Sequence, residues 1–251
     1  MGGTLAAAMV GAGHDDLVVI EKAEQRRSEL RDRGFEVSER IEDVGGAAVI
    51  LLVTKPQDVP AVLVDLAPHV GPRSTVVSLA AGVRTATIER ALPDGVAVVR
   101  AMPNTPALIG EGMFGVSPGS RVSRECLDVV VELLSSGGEV LVVDESKQDA
   151  VTAVSGSGPA YVFHLAEHMI AAGVEAGLEP DEAHTLAVRT LVGAARLLEQ
   201  SDDPPAELRR RVTSPNGTTH AAITTFEERG VGEGIRAGVL AAAARSEELG
   251  S

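Results

Sequence analysis

The sequence predicts two domains in series, an α/β domain built on a parallel sheet and then an all-α domain. Three observations carry this. Up to about residue 144, short β-branched runs alternate with segments that have polar and apolar faces, the rhythm of a sheet covered by helices on both sides. Beyond Asp144 the strand-like runs vanish and Ala-rich helical segments take over. Hydrophobic residues make up 44% of the 251 residues while aromatics are only 2%, so both cores must be packed from Ala, Val and Leu, which suits close helix–sheet and helix–helix contact. The expected boundary divides residues 1–145 from residues 146–251.

Each element has a local reason. Residues 1–9 read as a helix stopped by Gly11-Ala12-Gly13. Residues 17–20, 47–53, 74–79 and 96–100 are apolar, β-branched and nearly free of charge, as strands buried on both faces require. Between them residues 23–33, 56–67 and 85–92 carry helical two-faced patterns, the second opened by Pro56. Two further strands are expected at 112–116 and 140–143, with a helix at 124–134 between them. The second half reads as helices at 159–176, 181–200, 218–229 and 234–249, with Pro180 and the Pro204-Pro205 pair marking loop-to-helix junctions.

Composition excludes several classes of partner. A formal charge of −14 argues against nucleic acid or an anionic membrane, both of which select basic patches. Any anionic ligand must then be held by local backbone amides and a few basic side chains. The single cysteine, Cys126, cannot form an internal disulfide and reads as a small packed side chain. No apolar run reaches the length of a membrane span and no signal peptide opens the chain, so the expected location is cytoplasmic. His164 and His168 lie one helical turn apart without an evident third ligand, and are expected at a surface or interface rather than on a metal.

The start of the chain carries its own expectation. In a dinucleotide-binding fold, the helix before the second strand follows a first strand and a G-x-G-x-x-G turn that offers its amides to the pyrophosphate. Here only the tail of such a turn is expected, as Gly2 or Gly3, with the first strand missing from a Rossmann-like domain. Glu21, at the end of the strand 17–20, occupies the usual position of an acid that bonds a ribose 2′-hydroxyl and points to NAD. Lys22, Arg26 and Arg27 follow it; they suit either a 2′-phosphate or simple solvation.

Later strands end in runs of the same kind. Val53-Thr54-Lys55-Pro56 closes one strand and opens a helix, which would aim Thr54 and Lys55 at a ligand lying over the carboxyl ends of the sheet. Small residues at 80–82 allow close approach of a flat ring, and Asn104, set between two prolines, has an amide able to meet cofactor or substrate. Two loops are expected in the helical half, at 154–161 and 212–219. Both are rich in Gly and hydroxyls, and each precedes a helix N-terminus able to hold a carboxylate.

Taken together, KP at 55–56, AAGV at 80–83, RAMPNTPA at 100–107, AVSGSGPAY at 153–161 and VTSPNGTT at 212–219 resemble the pyrroline-5-carboxylate reductase family. The resemblance implies an NAD(P)H-binding Rossmann domain and a helical domain that forms an interlocked homodimer, often built into rings. It implies reduction of 1-pyrroline-5-carboxylate to L-proline, the last step of proline synthesis, with NADPH as cofactor and NADH possible. By that resemblance Ser214, Gly217 and Thr218 hold the substrate carboxylate, Thr219 hydrogen-bonds the ring nitrogen, and Ser157 of the SGSG run belongs to the same catalytic set. Gly2, Val53, Thr54, Lys55, Pro56 and Ala81 line the cofactor, with Asn104 near the nicotinamide. The sequence departs from the family pattern at Asn216, where Gly is usual, and in lacking the first strand. An iminium is already electrophilic, so such a site needs positioning more than a strong acid, and solvent can supply the proton. The competing readings are another imine or β-hydroxyacid-type reductase, disfavoured because the helix after Tyr161 has no Lys, and a non-catalytic NAD(P)-binding protein.

Overall fold

The computed structural model describes residues 2–250. They fall into two compact units, one running to Gly158 and joined by the stretch from Leu240, the other Pro159–Val239.

The first unit is the α/β part. Its strands are β1 (Val18–Ile20), β2 (Glu36–Ser38), β3 (Val49–Leu52), β4 (Thr75–Ser78), β5 (Ala97–Met102), β6 (Gly112–Pro118) and β7 (Gly138–Val142). They form two sheets, a parallel pair β1-β2 and a five-stranded sheet in the order β3-β4-β5-β6-β7. All neighbours in the larger sheet are parallel except β5 and β6, which pair antiparallel from Met102↔Gly115 to Val99↔Pro118. An all-parallel sheet was expected. The nine residues between β5 and β6 form only a short 3-10 turn and no crossover helix, so the chain doubles back.

Alternation along these strands builds two cores. Ile50, Leu52, Val76 and Val98 join one buried cluster, while Val77, Leu79, Val99 and Ala101 join the other. Helices α2 (Glu24–Asp32), α3 (Val59–Leu66), α4 (Thr85–Ala91) and α5 (Arg124–Ser135) cover the sheets with α1 (Gly2–Gly11). Leu5 and Met9 of α1 lie in the second cluster with Phe114 of β6. The clusters also span the break between the sheets: Ile20 of β1 packs against the first, and Leu17, just before β1, against the second, alongside Val49 and Leu51 of β3. At full burial each such side chain contributes about 1.5–3 kcal/mol. Gly138 opens β7 at φ +146 opposite Gly112, and a Cβ there would fall 2.0 Å from the Gly112 carbonyl oxygen.

Element identities follow the sequence closely, with additions. Strand β2 has no apolar alternation to announce it, and the short helix α9 (Pro205–Arg211) stands where only a proline-marked junction was expected. The second unit consists of α7 (Gly158–Glu175) from Pro159 on, α8 (Pro180–Glu199), α9, α10 (Thr218–Glu228) and the first part of α11 (Val231–Leu249). Helix α8 opens with Pro180 at its first position and a capping box between Glu179 and Glu182. Among its described residues this unit buries only Ala183 and Ala187 among its hydrophobic side chains, while Phe163 is 67% and Ile235 61% exposed. It therefore presents a wide apolar surface for which its own helices supply no cover. No helix among the described residues is long and apolar enough to cross a membrane.

Candidate active site

Because β3, β4 and β5 run parallel, the segments after them lie along one edge of the sheet. After β3, Lys55 is extended (φ −66, ψ 148) because Pro56 follows, and Pro56 opens a 3-10 turn leading into α3. Thr54 Oγ1 is buried there without a hydrogen-bond partner. A buried hydroxyl in that condition lacks the bond that normally offsets its desolvation, and a ligand on the sheet edge would satisfy it. Gly2 lies alongside: a Cβ on it would stand 3.6 Å from Val53 Cβ. Gly3 instead allows α1 to meet α2, since its Cβ would fall 2.9 Å from Leu30 Cδ2, and its carbonyl accepts from Arg33. The Met1 end of the expected glycine turn lies outside the described residues.

After β4, the chain passes through Ala80 and Ala81 to Gly82 at φ +79. A side chain at Gly82 would fall 3.0 Å from the Leu249 carbonyl, because the end of α11 rests on this turn. After β5, Asn104 is extended as expected between its prolines, but its amide is partly committed. Its Oδ1 accepts from the Met113 backbone N–H (2.9 Å), and its Nδ2 donates to Ser155 Oγ (3.3 Å). One amide hydrogen remains for any ligand.

The run around Ser157 differs from the expected loop. Residues Gln148–Val151 form α6, Thr152–Gly156 continue it as a π-helical turn, and Ser157 N–H closes that turn on the Thr152 carbonyl (2.8 Å) before α7 begins. Gly156 packs closely on Met102, whose Cε sits 2.7 Å from where a Cβ would be, so a side chain there would displace that flexible tip. Gly156 thus lies in a packed helical turn rather than an open loop, which composition alone does not distinguish. Single-turn π insertions of this kind are frequent at functional sites.

One buried network was not anticipated. Arg100 of β5 is 4% exposed, with Nη1 3.6 Å from Glu145 and Nη2 3.9 Å from Asp149. Glu145 also accepts from the Thr85 backbone N–H and hydroxyl, both at 2.7 Å, at the start of α4. Asp149 in turn accepts from Ser246 of α11 at 2.6 Å. The available signal was a lone charge inside an otherwise apolar strand.

In the second unit, residues 213–219 form one compact turn. Gly217 N–H bonds the Ser214 carbonyl (3.1 Å), and Asn216 sits at φ 60. Asn tolerates this left-handed conformation better than most residues other than Gly, which is why it can stand at this position. Gly217 is the N-cap of α10, and Ser214 Oγ lies 2.6 Å from where a Cβ on it would be. Ser214, Gly217, Thr218 and Thr219 are therefore together at one helix N-terminus, where first-turn N–H groups and the helix dipole favour an anion. The Gly217 amide itself is spent within the turn. Just upstream, Arg210 and Arg211 grip Glu207 and hold its carboxyl down to about 2, chiefly through the Arg210 hydrogen bonds.

Three residues set aside by the sequence keep modest roles. His164 and His168 are exposed neighbours, rings edge to face at 4.4 Å, with Glu167 at 3.9 Å from His164. Cys126 is half-buried in the first turn of α5, and the Ser123 hydroxyl lowers its thiol below the usual value.

Comparison with known proteins bears on both halves. Residues 1–82 match a family model described as NADP oxidoreductase coenzyme F420-dependent, and residues 145–249 match one described as pyrroline-5-carboxylate reductase dimerisation. Pyrroline-5-carboxylate reductase of Corynebacterium melassecola is 41% identical, covering 100% of this chain and 95% of the relative. That of Pseudomonas aeruginosa is 44% identical over 90% of this chain and 84% of the relative. Among solved structures, Plasmodium falciparum pyrroline carboxylate reductase with NADP bound superposes with a TM-score of 0.90 at 26% identity, covering 100% of this chain and 95% of that one. A pyrroline-5-carboxylate reductase from Coxiella burnetii gives 0.91 at 29% identity, covering 99% and 94%.

Proposed function

Because the chain belongs to the pyrroline-5-carboxylate reductase family, we propose that it reduces 1-pyrroline-5-carboxylate to L-proline at the expense of NAD(P)H. The observation that carries this reading is 41% identity to such an enzyme across the whole chain.

When bound, the reduced nicotinamide supplies a hydride to the imine carbon. The residues of this chain do the rest. Val53, Thr54, Lys55, Pro56 and Ala81, with Gly2 beside them, line the dinucleotide, and the unpartnered Thr54 hydroxyl supports their assignment. Asn104 offers its remaining amide hydrogen toward the nicotinamide end. Ser214 and the first amides of α10, including Thr218, hold the substrate carboxylate; the turn geometry supports this, because it leaves a hydroxyl and helix-start donors together. Thr219 orients the ring nitrogen, which takes its proton from solvent as the C=N bond becomes C–N. Ser157 belongs to the catalytic set through its motif. Positioning supplies most of the rate, since the iminium is already electrophilic.

We assign dinucleotide binding to residues 1–145, and substrate binding and dimerisation to residues 146–251. The exposed apolar helices of the second unit support a homodimer through that part, and a larger ring assembly built from it. A cytoplasmic setting follows from the biosynthetic reaction. The family resemblance and the NADP-bound relative speak for NADPH, whereas Glu21 speaks for NADH.

The test is direct. Purified protein, given 1-pyrroline-5-carboxylate and either reduced cofactor, should consume absorbance at 340 nm and yield proline in equal amount. Folded protein that turns over neither mixture would overturn the assignment.

A further inference from the structure

Resting on that reading, we infer that Glu21 makes this chain select NADH over NADPH. Glu21 directly follows β1, and the position after such a strand end is where an open α/β sheet meets the adenosine ribose. Its side chain is half-buried, and Oε1 accepts the Ala23 backbone N–H at 2.9 Å, which fixes the carboxylate at the turn. A fixed carboxylate is an acceptor for the two hydroxyls of a ribose diol. Against a 2′-phosphate it is a like charge.

Most of the cations that would have to offset that repulsion are engaged elsewhere. Arg27, 7% exposed, donates Nη1 to the carbonyls of Glu21 and Lys22 at 3.1 and 2.6 Å. Its Nη2 pairs with Glu24 and with Glu39, the latter at 2.9 Å. This guanidinium clips the β1 turn to the segment after β2 and has no free face for a phosphate. Lys22 reaches Asp65 at 3.2 Å, and Arg40 reaches Glu42 at 2.9 Å. Arg26 remains, an exposed side chain on α2. The groups around the turn thus include the carboxylates of Glu21, Glu24 and Glu39, with one buried cation already shared among carbonyls and acids. A dianionic phosphate entering there would face Glu21, and of these cations only the exposed Arg26 could meet it without giving up an existing ion pair.

The test reads binding as well as turnover. Dissociation constants for NADH and NADPH are measured by calorimetry on the wild-type protein and on Glu21→Ser and Glu21→Gln variants, with kcat/KM for both cofactors alongside. The expected result is at least tenfold tighter binding of NADH by wild type, with that preference lost or reversed in both variants. Equal or tighter binding of NADPH by wild type would overturn the inference while leaving the reductase assignment intact, and would assign the phosphate to Lys22 and Arg26. An unchanged preference in folded Glu21→Ser and Glu21→Gln would also overturn it. Binding of neither dinucleotide would bring down the reductase reading and this inference together.

Discussion

Replacing Glu145 by Ala tests the buried network of the α/β unit. Its carboxylate makes two 2.7 Å bonds to Thr85 at the start of α4 and lies 3.6 Å from Arg100, whose Nη2 has no hydrogen bond of its own. Hydrogen bonds to a charged group contribute about 1.5–3 kcal/mol. Stranding a buried cation costs about 3–5 kcal/mol, and that figure already overlaps with the bonds. Asp149 at 3.9 Å offsets part of it, so the expected loss is about 3–4 kcal/mol. For a chain of this size that corresponds to a fall in Tm of roughly 6–16 °C. Urea unfolding followed by circular dichroism measures it. Adding Arg100→Met to Glu145→Ala should recover about half of the loss, because the stranded charge is then gone. A loss below about 1 kcal/mol for Glu145→Ala, or no recovery in the double variant, would refute the argument that Arg100 depends on this carboxylate.

Three further outcomes are expected. Thr219→Ala should lower kcat/KM about tenfold, the worth of one hydrogen bond to the substrate, and Thr219→Ser should restore most of it in steady-state assays. Gly138→Ala should destabilise by about 3 kcal/mol or more, since φ +146 and the Gly112 carbonyl both exclude a Cβ; a midpoint unchanged in urea would contradict the close β6–β7 approach. Glu207 has its carboxyl depressed from 4.5 to about 2, so its ion pairs contribute fully above pH 4.5 and are lost as pH falls through 2. The stability gap between wild type and Glu207→Gln should therefore close between pH 5 and pH 2, and salt should shrink it because the pair is exposed.

The α/β rhythm was legible because buried parallel strands have no polar face to confuse the pattern: β3 is wholly apolar, and β4 and β5 are each built around a Val pair with one charge, Arg100, between them. Strand β2 was not, since three residues containing Glu and Ser are held by pairing with β1 rather than by burial. The antiparallel turn at β6 was equally hidden: strand direction depends on the connection, and the connection here is a short 3-10 turn with no helical pattern. Of the candidate site, the segments around Thr54, Asn104 and Ser214–Thr219 stood out through Pro, Gly and hydroxyls at element ends. What composition did not reveal is what such residues are doing. Gly156 beside Ser157 sits in a π turn against Met102, and Arg27, one of the three basic residues after Glu21, proved to be an internal clip.

The break between the two sheets has a consequence for how the molecule opens. Among the described residues, β1 hydrogen-bonds only to β2, over three residue pairs. Beyond that short ladder, β1 is held by the contacts of Ile20 and Leu17 with the two cores and by the Arg27 clip at its end. Strands β4 and β5 are paired on both sides and buried almost throughout. Amide hydrogens of 18–20 and 36–38 should therefore exchange with solvent through a local opening, orders of magnitude faster than those of 75–78 and 97–102, which await unfolding of the whole sheet. Since Glu21 hangs on that loosely tied pair, a bound adenosine would act as a staple, and slowed exchange at β1 would register its arrival before any chemistry occurs.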